Sequence, residues 1–196
     1  WYENNFRLDK YLLEMKKLNC PMFNIMGNHD NDPYVAGDIP PESPFREIIG
    51  PTYYSFNLGQ VHYVVLDDIQ YINAGGAQGV IGDRSYNDVV IATQTSWLAK
   101  DLAAVTDKNT PLVIFIHSPI YSNPTLTAGG EQASSIVLNN GSTIISLVQD
   151  FTEVHFVSGH THINYTVESG NVIEHNTAAV SATWWWTGKT GYANNH

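Results

Sequence analysis

With Cys20 its only cysteine, the 196-residue chain can form no intrachain disulfide, so its stability must come from a packed core. Cys20 stands beside Pro21 in an apolar run, where a buried or quiet thiol is expected. Charge is scarce as well. Asp, Glu, Lys and Arg make up 14% of the residues, against about 25% in an average soluble domain. Only 9 of these are basic against 19 acidic, and a net charge of -10 repels phosphate backbones and anionic membrane surfaces. General nucleic-acid binding is therefore not expected, although a bound cation can reverse the field at one spot. No apolar run approaches the roughly 18 residues of a membrane span, so no membrane segment is expected. The opening WYENNFRLDK has neither the basic start nor the apolar stretch of a signal peptide.

What is present is a folding composition: 43% hydrophobic and 12% aromatic residues, with 5 Trp and 11 Tyr. The length fits one domain over residues 1–196, expected to be incomplete at both ends. Composition does not fix a compartment; a chain rich in Tyr, Asn and Trp, low in charge and with one cysteine, is compatible with a secreted or periplasmic location.

Periodicity orders the elements. Leu8, Leu12 and Met15 form the stripe of a helix over residues 4–18. Residues 22–26 read as a short buried strand ending at Gly27-Asn28-His29-Asp30. Five prolines in residues 31–51 imply an irregular excursion, and 53–58 with 61–67 read as a hairpin around Gly59-Gln60. A helix over 94–105 then leads to the apolar strand 112–116, which ends at His117. Another helix over 142–151 feeds strand 154–157, which ends in Ser158-Gly159-His160-Thr161-His162; residues 164–168 and 172–175 read as a last hairpin. Helix followed by buried strand is the rhythm of a layered α/β sheet.

Three strands thus end at loops carrying nitrogen or oxygen donors: Asn28 and His29, then His117, then His160 and His162. One histidine at a strand end is usually structural, but a threefold repeat is not. Loops at the carboxyl ends of strands are where open α/β sheets build their sites. Imidazole and amide oxygen suit zinc, iron or manganese, and two such ions about 3.5–4 Å apart are a common device for phosphoester hydrolysis.

The sequences GNHD at 27–30, IFIHSP around His117 and GHTH at 159–162 together resemble the calcineurin-like metallophosphoesterases. The resemblance implies a two-sheet β-sandwich flanked by helices and hydrolysis of a phosphomonoester or phosphodiester by a metal-bound hydroxide. It further implies two divalent or trivalent transition-metal ions (Mn, Fe or Zn) and a small phosphoester substrate. Carried over by position, Asn28, His117 and His160 would ligate one ion and His162 the other. His29 would stabilise the transition state or protonate the leaving oxygen, and Asp30 would orient its imidazole. The family's Asp-x-His and Gly-Asp-x-x-Asp motifs, source of the bridging carboxylate, do not precede Gly27 in this sequence; they are expected just upstream of Trp1. Gly82-Asp83-Arg84-Ser85-Tyr86-Asn87-Asp88 has the wrong position and spacing to replace them. The alternative is a catalytically inactive metal-binding or ligand-binding fragment of the same fold.

Trp184-Trp185-Trp186 cannot all face one core, and with Tyr121 and Asn123 they are candidates for a substrate wall. Asp67-Asp68 reads as a solvated strand end. His62, His155 and His175 read as packing residues within strands.

Overall fold

The structure, a computed structural model, describes residues 6–75 and 84–179. Trp184, Trp185 and Trp186 lie outside these. Helix α1 (Phe6–Met15) opens the described chain, and residues 21–27 follow without regular structure. The expected strand at 22–26 is therefore irregular backbone without a ladder. It is held instead by contacts to the first hairpin: the Tyr54 hydroxyl donates to the Asn24 carbonyl at 3.0 Å, and the Phe23 ring stacks on Phe56 at 4.0 Å. Cys20 is exposed rather than buried. Within the proline-rich excursion lies a short helix that periodicity does not reveal, α2 (Ser43–Ile48).

Strands β1 (Tyr54–Leu58) and β2 (Val61–Val65) form the expected hairpin. Its two-residue turn places Gly59 at φ +63°, a conformation that side chains resist. A small ribbon of β3 (Ile69–Tyr71) and β4 (Tyr86–Asp88) follows, then α3 (Ala92–Ala104) and β5 (Leu112–Phe115). A second ribbon, β6 (Thr125–Leu126) with β7 (Gln132–Ala133), precedes α4 (Gly141–Val148). The chain then runs through β8 (Val154–Ser158), β9 (Tyr165–Ser169) and β10 (Val172–Asn176).

Six strands make the central sheet in the order β1-β2-β5-β8-β10-β9. The four inner strands β2, β5, β8 and β10 run parallel, and the outer pairs are antiparallel. The α/β class and the helix-then-strand rhythm read from the sequence are both present. Among the described residues, the strands outside this sheet belong to the two short ribbons.

Alternation in the inner strands sends Val64, Leu112, Ile114, Val154, Phe156 and Val172 to one face, where Leu98 and Leu102 of α3 and Ile144 and Val148 of α4 bury them. Each helix supplies its buried pair at i, i+4 spacing, one stripe against the sheet. At the end of α4, Asn171 donates its amide to the carbonyls of Val148 and Phe151, satisfying groups a helix end leaves open. The opposite face carries an aromatic row in which Phe56 stacks on Tyr63 at 5.1 Å and Tyr63 on Phe115 at 6.4 Å.

Phe156 is fully buried at the centre of this core. Phe156→Ala is expected to cost about 3–5 kcal/mol, seen as a fall of about 6–20 °C in Tm by calorimetry.

Candidate metal centre

Parallel strands share one direction, so the residues just past β2, β5 and β8 are delivered to the same edge of the sheet: Asp67-Asp68, then His117-Ser118, then Gly159 to His162. The loop 117–121 is held with unusual completeness. Asp68 Oδ1 accepts the His117 amide at 2.9 Å and Oδ2 accepts Ser118 at 2.8 Å. Glu174 Oε1 accepts Ile120 at 2.8 Å and Oε2 accepts Tyr121 at 2.7 Å. Pro119 has no N–H, so every backbone donor of the loop is bound by a side-chain carboxylate.

Asp68 and Glu174 are both fully buried, which corrects the reading of Asp67-Asp68 as a solvated strand end. Burial pushes the Asp68 carboxyl up to about 7 against the pull of the two amides, and raises Glu174 in the same way.

The turn carrying His160 is tied to its neighbours. Gly159 N donates to the His117 carbonyl at 3.0 Å, and Asn176 Nδ2 donates to the Gly159 carbonyl at 2.7 Å. Thr161 donates its hydroxyl to Asn176 Oδ1. His160 and His162 both take the left-handed conformation, φ +62° and +60°, which is uncommon for residues with a side chain and clusters at functional sites.

These loops bring three donor atoms together. Asn28 Oδ1 lies 2.9 Å from His117 Nε2, and His117 Nε2 lies 3.1 Å from His160 Nδ1. Ligands about 2.0–2.2 Å from one ion, at angles between octahedral and tetrahedral, stand about 2.8–3.5 Å from each other, so the spacing fits a shared metal. Burial first, then the neighbouring imidazoles of His160, His29 and His162, lowers His117 to about 3, and burial lowers His160. Neutral imidazoles are the form that binds metal.

Among the described residues, no three His, Cys, Asp or Glu side chains converge on one point; the converging set is two imidazoles and one amide oxygen. His162 is half-buried one turn residue beyond the cluster. Exposed at the rim, His29 has its imidazole lowered by partial burial, then by Arg84, His160 and His162. Asp30 Oδ2 accepts the Gly27 amide at 2.9 Å and so closes the GNHD turn.

Tyr121 is buried in the core, its carbonyl accepting the Tyr165 hydroxyl at 2.8 Å, and Asn123 is exposed. His62 is buried with its ring nitrogens on Asn57 and Asp101, the packing role expected of it.

Pattern reading missed Asp68, Glu174 and Asn176, which act on residues far along the chain, and Tyr86. The Tyr86 hydroxyl receives Asn28 Nδ2 at 3.1 Å and faces His160 Nε2 at 3.5 Å. Asp88, on the same ribbon, accepts the Ser118 hydroxyl at 2.6 Å. Tyr86 and Asp88, on strand β4, thus enter the site.

The calcineurin-like phosphoesterase family matches residues 2–164, and the chain belongs to that family, whose members hydrolyse phosphoesters with metal ions. Among solved structures it is similar to a dimetal phosphatase from Danio rerio, at 14% identity and a TM-score of 0.58, with 89% of this chain and 66% of that one covered. The likeness establishes a shared fold, and this chain spans about two thirds of that protein's length. A structure of PhoD aligns over 66% of this chain and 29% of its own, at 14% identity and a TM-score of 0.40. No curated protein matches by sequence.

A Cβ on Gly27 would stand 2.8 Å from His117 Cε1 and Nδ1, so the Asn28 turn approaches the His117 ring as closely as only glycine permits. Gly27→Ala should therefore push the two donors apart and weaken Zn²⁺ or Mn²⁺ binding by about tenfold or more in titration calorimetry. Unchanged affinity would show that this approach does not set the donor spacing.

Proposed function

We propose that this chain carries the histidine-rich half of a two-metal phosphoesterase site and that the protein hydrolyses a phosphomonoester or phosphodiester. One observation supports this above others: Asn28 Oδ1, His117 Nε2 and His160 Nδ1, from three loops far apart in sequence, meet at ligand-to-ligand spacing. These three would hold one ion and His162 a second. When bound, manganese, iron or zinc supplies a Lewis acid for the phosphoryl oxygens and acidifies a water to serve as nucleophile near neutral pH.

The chain's own residues do the rest. His29, at the rim, faces the departing group and stabilises its charge or hands it a proton, a contribution of about 10² to 10⁴ in rate. Asp30 keeps the turn that carries His29 closed through the Gly27 amide. Asn123, exposed after the His117 loop, would contribute to a substrate wall.

A second reading has its own support. Two imidazoles and an amide oxygen without a carboxylate are a weak set, so the described residues by themselves are compatible with a module that binds one ion and has no turnover.

Elemental analysis with hydrolysis of p-nitrophenyl phosphate and its bis-ester, on this chain and on the full product of its reading frame, separates the two. Two metals per chain in the full product, activity lost to a chelator and restored by Mn²⁺ or Zn²⁺, and a fall in kcat/KM of about a hundredfold or more in His117→Ala are the expected results. Bound metal without hydrolysis of either ester would favour the second reading, and no bound metal would overturn both.

A further inference from the structure

A carboxamide and an imidazole each offer a metal a choice of atoms. Only the oxygen of Asn28 can ligate, and only the nitrogen of His160 that bears no proton. Which nitrogen of a ligating histidine is free depends on the hydrogen bond made by the other one.

The Tyr86 hydroxyl lies 3.1 Å from Asn28 Nδ2 and 3.5 Å from His160 Nε2, the two nitrogens that face away from the donor cluster. The second contact is long, and the Tyr86 ring supports it by meeting the His160 ring edge to face at 6.0 Å and 83°. A phenol oxygen has two lone pairs and can accept both N–H groups. Accepting from Asn28 Nδ2 turns Oδ1 toward His117 Nε2, and accepting from His160 Nε2–H leaves Nδ1 as the lone pair directed at the same atom.

We infer that Tyr86 is a positioning residue: its hydroxyl selects the ligating atoms of Asn28 and His160 by holding the nitrogens that must not ligate.

The ribbon that carries Tyr86 is firmly placed. Ile72 N donates to the Ser85 carbonyl at 2.8 Å, and Asn87 Nδ2 donates to Gln70 Oε1 at 3.1 Å. Two residues on, Asp88 accepts the hydroxyl of Ser118, the neighbour of His117. One short strand thereby touches all three ligand loops. Burial, and then Asp88, raises the Tyr86 phenol, which keeps it a neutral hydroxyl.

This inference rests on the metal reading above, and the test keeps the two apart. Tyr86→Phe removes the oxygen and retains the ring. Two properties are read: the His160 tautomer by ¹⁵N NMR of the metal-free protein, and Zn²⁺ or Mn²⁺ affinity by titration calorimetry. Wild type should show His160 protonated on Nε2, Tyr86→Phe a mixture of tautomers, and metal binding should weaken by about 10- to 100-fold. A tautomer unchanged by the substitution, with affinity within about twofold of wild type, would overturn the inference. If wild type itself binds no metal, the metal reading falls, and the tautomer alone decides the role of Tyr86: a shift supports it and no shift overturns it. A residue that merely packs would change Tm without moving the tautomer.

Discussion

Two buried carboxylates, Asp68 from the end of β2 and Glu174 from within β10, hold the loop that carries His117, and the site depends on that grip. They take up all four N–H groups of residues 117–121, with proline at the one position that has none to offer. A buried amide without a partner is costly, and a buried carboxylate without donors costlier still. Each therefore fixes the other, leaving the loop a single arrangement. Glu174 also accepts the Ser158 hydroxyl at 2.8 Å, so the same carboxylate ties the His117 loop to the strand that ends at His160.

From that fixed centre the remaining donor is brought in from outside the sheet. Residues 21–27 have no ladder, so the Asn28 turn is placed by side chains: Phe23 on Phe56, the Tyr54 hydroxyl on the Asn24 carbonyl, and Gly27 against the His117 imidazole. Tyr86 adds a contact to Asn28 Nδ2 and another to His160 Nε2. The donor atoms thus meet through contacts made by residues that would not themselves ligate, and the sheet fixes their spacing through hydrogen bonds.

Much of this was legible in the chain itself. Strands at 54–58, 112–115 and 154–158 and helices at 92–104 and 141–148 show strong periodicity, and structure and pattern agree there to within a few residues. Histidines recurring at strand ends marked the site, because strand ends of a parallel sheet share one edge. Other features depend on distance in space. Asp68 acts on residues 49 and 50 positions away, and Glu174 on residues 53 and 54 positions away. No local pattern records such a partner, so an Asp after an apolar strand reads as solvated when it is buried. The segment 22–26 has the composition of a strand, yet its hydrogen-bonding partners are side chains. Strands β3, β4, β6 and β7 are of two or three residues, too short for alternation to show.

The most direct test of the account is a crystal structure of the protein grown with Mn²⁺ or Zn²⁺ and recorded at the metal's absorption edge. The account predicts an anomalous peak bound by Asn28 Oδ1, His117 Nε2 and His160 Nδ1 at about 2.0–2.2 Å, with Asp68 and Glu174 still on the amides of the His117 loop. A peak elsewhere, or an ion held by His160 Nε2 or without Asn28, would contradict it.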